Sequence, residues 1–113
     1  AIANRHVVDA LSRAAKARGF NFAEGIAQCK DSFYGQHDPD SMPNSARLHE
    51  RWEAWRKAGV MASEMETAAL FVIASIRGVR AGAVMAYFAM NDETIEMACD
   101  AVRILIEQDR AAQ

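Results

Sequence analysis

GVMASEMETAALFVIASIRG, residues 59–78, is the stretch whose reading decides the fold. It opens on a short apolar run, 59–62, that reads as a buried strand. Ser63 then stands at a helix N-cap position, with Glu64 and Glu66 in the first turn and a mostly apolar run behind them. Ser63 and Glu66 have the spacing of a capping box, in which two side chains satisfy two orphan backbone donors. Acidic residues in a first turn also complement the helix dipole. The pattern therefore predicts a strand over 60–62 running into a capped, buried helix over 64–77, stopped by Gly78. A second reading stays open beside it. Open α/β sheets bind small molecules at the carboxyl ends of their strands, and both carboxylates fall at such an end.

Upstream, residues 45–58 read as a helix that Asn44 or Ser45 can cap. Leu48, Trp52 and Trp55 give it one apolar face, with Glu50, Arg51, Glu53, Arg56 and Lys57 on the solvated side and His49 exposed. Before it, residues 30–43 form a polar loop, KDSFYGQHDPDSMP, that nonetheless carries Phe33 and Tyr34. Loops that place aromatics beside amides and carboxylates bind ligands, although both rings could equally anchor the loop to a core. Residues 21–29, NFAEGIAQC, read as a strand weakened by Gly25. Residues 4–18 read as an amphipathic helix with Val7, Val8, Leu11, Ala14 and Ala15 on its inner face, stopped by Gly19. Downstream, 79–90 is apolar enough for a central strand buried on both faces, ended by Asn91 and Asp92. Residues 93–108 read as a helix with Ile95, Ala98, Cys99, Val102, Leu105 and Ile106 facing inward. Helices alternating with apolar strands predict an α/β fold, a parallel or mixed sheet covered by helices.

The chain has 113 residues, which fits a single domain. A hydrophobic content of 51% with 25% charged residues describes a globular protein, and a net charge of −2 gives no footprint for nucleic acid or an anionic membrane. No apolar run approaches the ~18 residues of a membrane span. The start, AIANRHVVDA, has no signal-peptide pattern. No initiator methionine precedes Ala1, which fits a fragment or a processed product. Cys29 and Cys99 lack the spacing of a zinc site or a disulfide framework and read as small apolar residues of a reduced, cytoplasmic protein.

Phosphate loops, dinucleotide-binding glycine patterns, nucleophile elbows and HExxH pairs are absent from the sequence. Residue by residue, the chemistry available is a small-molecule site built from Phe33, Tyr34, Gln36, Glu64, Glu66 and Asn91.

At these same residues the chain resembles a known family. GVMASEMETAALF is similar to the ribose-binding signature of the nucleoside phosphorylases, a short strand followed by E-M-E-[SAT]-A. GIAQCKDSFYGQHDP ahead of a Trp-rich helix looks like the uridine phosphorylase branch, and GVRAGAVMAYFAMN and AVRILIE resemble the family's later strand and last helix. The resemblance implies part of a three-layer α/β/α sandwich with a mixed sheet, residues 1–113 forming one partial domain, the C-terminal nucleoside-binding half. It implies Met65, Glu66 and Glu64 at the ribose, Phe33 stacked on the base and Gln36 reading it. A carboxylate can accept from both the 2′ and 3′ hydroxyls, and one amide can accept from N3–H while donating to a carbonyl. Many relatives carry an arginine two residues after that glutamine; here His37 and then Asp38 follow it.

The implied reaction is phosphorolysis of uridine to uracil and ribose 1-phosphate, with inorganic phosphate as co-substrate and no cofactor or metal. The family's phosphate-binding half has no counterpart in these residues, no catalytic group is assignable, and the isolated chain is expected to bind nucleoside weakly and catalyse nothing. The join between Asn91 and Asp92 is shorter than the family's connection. The resemblance further implies a homo-oligomer of dimers, with Trp52, Trp55 or the 33–43 loop meeting a neighbour. The alternatives are a purine nucleoside phosphorylase or nucleosidase of the same fold, for which Asp92 is the candidate acid, and a truncated, non-catalytic interaction module.

Overall fold

The computed structural model describes residues 1–87 and 92–113. It divides into two compact units, Ala1–Glu24 with Thr67–Gln113, and Gly25–Glu66.

The first unit is helical. Helix α1, Arg5–Ala17, starts where Asn4 Oδ1 accepts from the backbone N–H groups of His6 at 3.1 Å and Val7 at 3.4 Å, so an asparagine cap satisfies two orphan donors. It ends at Gly19, whose φ of 71° lets the Phe20 N–H reach back to the Ala15 carbonyl at 3.0 Å. That bond turns Phe20 onto the core. Ala10, Ala14 and Ala15 of α1 pack against Met97 and Ala101 of helix α5, Asp92–Ala111. Alanines on both sides let the backbones approach closely, and Met97 fills the remaining gap. Arg18, at the end of α1, bonds Glu96 at 2.9 Å and Asp100 at 2.7 Å, near the start of α5. Asn4 N–H donates to Ala81 O at 2.8 Å while Arg80 pairs with Asp109, near the end of α5. The two helices therefore run antiparallel.

The inner face expected for α1 is the buried one. On α5 the expected face is corrected. Leu105 does pack on the core, but Ile95, Val102, Ile106 and Cys99 are exposed, and the covered stripe is Met97, Ala101, Ile104 and Leu105. This helix has two apolar stripes, and the alanine face of α1 takes the one that allows the closest approach.

Helix α4 is Thr67–Arg77 and starts three residues later than the sequence pattern predicts. Ala74 is buried, but Leu70, Val72, Ile73 and Ile76 are exposed, so the expectation of a buried helix is corrected as well. The central strand expected over 79–90 is not found among its described residues: 79–87 form no ladder, and Val79, Met85 and Tyr87 are exposed. Gly82 lies against the Val7 side chain and Val84 packs on the α1–α5 core, so helix contacts take the place of strand neighbours. Residues 88–90, the end of that predicted strand, and Asn91 lie outside the described residues. Asp92 opens α5 rather than closing a strand.

The second unit holds the sheet. Strands β1, Ile26–Cys29, and β2, Val60–Glu64, pair in parallel, with Gln28 opposite Ser63 and Cys29 opposite Glu64. Between them lie a one-turn helix α2, Tyr34–His37, a 3₁₀ turn at Pro39–Ser41, and helix α3, Ser45–Lys57. The α/β class expected from the sequence is observed, with a parallel pair as its sheet. Leu48, Trp52 and Trp55 form the covered face of α3, as their spacing predicts, and the two indoles meet edge to face at 5.0 Å. Asn44 stands at the cap position without a side-chain bond. Among the described residues, no helix is long and apolar enough to cross a membrane.

Candidate functional site

Apart from Asn91, the residues of the site expected from the sequence fall within the second unit, after the carboxyl ends of the paired strands. A parallel pair points both of its ends the same way, so the segments that follow β1 and β2 emerge side by side. The ladder continues one residue past β1, where Lys30 N–H donates to Glu64 O at 2.8 Å. Residues 31–36 then leave one strand and Met65–Glu66 the other.

Ser63 does not cap a helix. It is the penultimate residue of β2, and its hydroxyl faces the neighbouring strand, which overturns the capping-box expectation. The reason is register: pairing Ser63 with Gln28 extends β2 through Glu64, and α4 cannot begin before Thr67. The two carboxylates fold onto local backbone instead. Glu64 Oε2 accepts from Glu66 N–H at 2.6 Å, and Glu66 Oε2 accepts from Met65 N–H at 3.2 Å. Glu64 is half-buried, whereas Met65 and Glu66 are exposed. The turn thus presents the Glu66 carboxylate to solvent at the end of the strand.

Across from it, Ser63 Oγ donates to Gln36 Oε1 at 2.8 Å. Gln36 sits in α2, whose first turn closes as Phe33 O accepts from the N–H groups of Gln36 and His37, both at 3.1 Å. Ser32 Oγ accepts from Gly35 N–H at 3.0 Å, and a Cβ on Gly35 would sit close to that hydroxyl. The turn holds Phe33 outward, 51% exposed, with Tyr34 edge-on at 5.5 Å and the His37 ring at 4.2 Å. A ring exposed to this extent offers apolar area to a ligand. Asp38 is exposed at the end of α2, beyond the cluster. An open cavity of about 570 Å³ reaches Gln36 and Ser63 beside Trp52 and Trp55; Phe33, Glu64 and Glu66 lie outside its lining.

Two residues of this cluster were not anticipated. Lys30 is the buried charged side chain of the described residues, at 9% exposure, and its Nζ donates to Ser63 Oγ at 3.1 Å while lying 5.8 Å from the centre of the Phe33 ring. Gln28 Oε1 is 3.3 Å from the same hydroxyl. The available signal is period-two alternation: Gln28 and Lys30 are two apart on a strand and share a face. Asn91, the sixth residue of the expected site, lies outside the described residues.

Away from this cluster, Asp40 accepts from His49 at 2.8 Å, and this hydrogen bond, then the attraction to the ring, holds its carboxyl below the usual aspartate range. Among the described residues no group of three or more His, Cys, Asp or Glu is arranged to hold a metal ion.

The chain is similar to curated uridine phosphorylases. It is 42% identical to that of Treponema pallidum over 91% of this chain and 46% of the relative. It is 37% identical to that of Thermococcus kodakarensis, over 96% and 44%, and 32% identical to that of Escherichia coli, over 97% and 48%. The chain thus spans about half the length of these relatives. A family model described as the phosphorylase superfamily matches residues 1–110, and the chain belongs to that superfamily.

Proposed function

We propose that this chain is the nucleoside-binding half of a uridine phosphorylase, one partial domain of a three-layer fold. The observation that supports the reading is an amide, Gln36, and a carboxylate-bearing turn, 64–66, joined through Ser63 at the carboxyl ends of β1 and β2. Gln36 is held to Ser63 at 2.8 Å, and Glu64, Met65 and Glu66 follow Ser63 directly.

In this reading Phe33 stacks on the base and Gln36 bonds its edge. Met65 and Glu66 hold the ribose, and Glu64, by accepting from Glu66 N–H, fixes the turn that aims Glu66 at the 2′ and 3′ hydroxyls. Phosphate attacks the anomeric carbon, the bond from that carbon to the base nitrogen breaks, and its electron pair leaves with the base. Positive charge grows on the sugar ring as negative charge grows on the base. Preorganised donors at the base stabilise the latter, and a fixed sugar keeps the anomeric carbon in line with the attacking oxygen. No phosphate-binding group is assigned within residues 1–113. The assembly is a homo-oligomer built from dimers and works in the cytoplasm, with inorganic phosphate as co-substrate and no cofactor.

The test is phosphorolysis of uridine against inosine by the protein expressed from the complete reading frame that encodes this chain. Uridine is expected to be the better substrate, and Gln36→Ala is expected to reduce the uridine-to-inosine ratio of kcat/KM by tenfold or more. A preference for inosine, or hydrolysis without phosphate, would replace this reading by the purine phosphorylase or the nucleosidase.

A further inference from the structure

Gln36 can present either end of its amide, and the choice decides which base edge it accepts. An amide turned so that its N–H2 faces the ligand binds a carbonyl. Turned the other way, it binds an amino group. Oxygen and nitrogen of an amide are told apart by the partners they keep.

The partners here have a direction. An ammonium group can only donate, so at the 3.1 Å contact of Lys30 Nζ with Ser63 Oγ the serine oxygen must accept. The serine hydroxyl then has one proton to give. Gln36 Oε1 stands at 2.8 Å and Gln28 Oε1 at 3.3 Å, so the shorter bond goes to Gln36. A cation donating to the hydroxyl polarises it and strengthens its own donation. Lys30 is 9% exposed and Ser63 half-buried, so water does not compete freely for either group.

We propose that Lys30 and Ser63 are positioning residues that set the direction of the Gln36 amide, turning its N–H2 toward the ligand and making the site select a uracil carbonyl over a cytosine amino group. The proposal rests on the reading of Gln36 as the residue that meets the base. Uracil carries a carbonyl at the position where cytosine carries an amino group. An outward N–H2 donates to the first and meets the second donor to donor, leaving both unpaired. Without Lys30, or without the Ser63 hydroxyl, both amide directions become comparable and the distinction fades.

The experiment measures dissociation constants for uridine and for cytidine, without phosphate, on the protein expressed from its complete reading frame. The variants are Lys30→Met, Ser63→Ala and Ser63→Thr, each with a melting curve. The unchanged protein is expected to prefer uridine. Lys30→Met and Ser63→Ala are expected to lower that preference tenfold or more, chiefly through weaker uridine binding, while Ser63→Thr, which keeps the hydroxyl, retains it. If the unchanged protein prefers uridine and the folded Lys30→Met and Ser63→Ala proteins keep the same ratio, the positioning role is overturned and the base-reading role of Gln36 stands. If the unchanged protein binds both nucleosides equally, or neither, the reading of Gln36 fails and the proposal falls with it. Should Lys30→Met not fold, Ser63→Ala decides the matter, since it removes one oxygen from the same relay.

Discussion

Replacing Glu66 by glutamine separates the sugar-binding role proposed for this residue from any role in folding. The side chain is exposed, and the bond it makes is to Met65 N–H at 3.2 Å, which an amide oxygen also accepts. Ser63, the residue that a capping box would have tied to it, is bonded instead to Gln36 and Lys30. The substitution should therefore leave the fold intact, with a melting temperature within about 3 °C of the unchanged protein. The sugar contact should suffer much more. A carboxylate offers two charged oxygens to two hydroxyls; glutamine offers one neutral oxygen and a donor where an acceptor is needed. Losing charge-assisted hydrogen bonds costs about 1.5–3 kcal/mol, which is about one to two decades in kcat/KM. The assay is uridine phosphorolysis by the protein from the complete reading frame, with 2′-deoxyuridine as a second substrate. Because one of the two hydroxyls is absent there, the loss should be smaller. If Glu66→Gln melts many degrees lower yet keeps its activity, the carboxylate serves the fold and the ribose role is wrong.

Other consequences follow from the packing. Ala10→Leu should destabilise the α1–α5 pair by about 1–3 kcal/mol, because Ala10 has no exposed surface and the added side chain must be fitted into the core with Met97 and Ala101; an unchanged thermal transition would refute the close helix contact. Gly59→Ala should cost about 1–2 kcal/mol in denaturant unfolding through backbone strain alone, since φ is +82° and no atom lies within 4 Å of the added methyl; replacement by asparagine, which tolerates that φ better, should cost less. Arg18 holds the Asp100 carboxyl below its ordinary 3.8, chiefly by hydrogen bonding, with Arg103 adding to it. A lowered carboxylate stabilises the fold fully above the ordinary value, and that contribution is lost as pH falls through the lowered one. Arg18→Ala should therefore raise the Asp100 midpoint in a carboxyl NMR titration and move acid unfolding to higher pH; an unmoved midpoint would show that the pair does not hold in solution.

Much of the local structure was legible from side-chain spacing. Val7, Val8, Leu11, Ala14 and Ala15 recur at helical intervals, and they face inward on α1. Leu48, Trp52 and Trp55 do the same on α3. Gly19, Gly59 and Gly78 follow helices and all have positive φ, because a left-handed residue is the least strained way to stop a helix. Each of these depends on neighbours a few residues apart, which a sequence displays directly. The E-M-E motif and the FYGQ loop were likewise legible as a candidate site, because the residue types that can hold a sugar and read a base are few.

What tertiary structure decided was pairing. Ser63 followed by Glu66 fits a helix cap and the end of a strand equally well; only the parallel register with Gln28 makes it a strand residue and turns its hydroxyl to Gln36. Residues 95 to 106 carry two apolar stripes, and only the alanine face of α1 selects the stripe of Met97 and Ala101. The apolar run after Gly78 matches a central strand, yet a strand exists only where another offers it a ladder, and 79–87 lie against helices instead. Lys30 is the clearest case. A lysine at the end of an apolar run reads as solvated, and its burial beside Ser63 depends on a partner 33 residues away. Contacts that close a long loop are invisible to spacing, because the chain alone does not state which of its distant segments will meet.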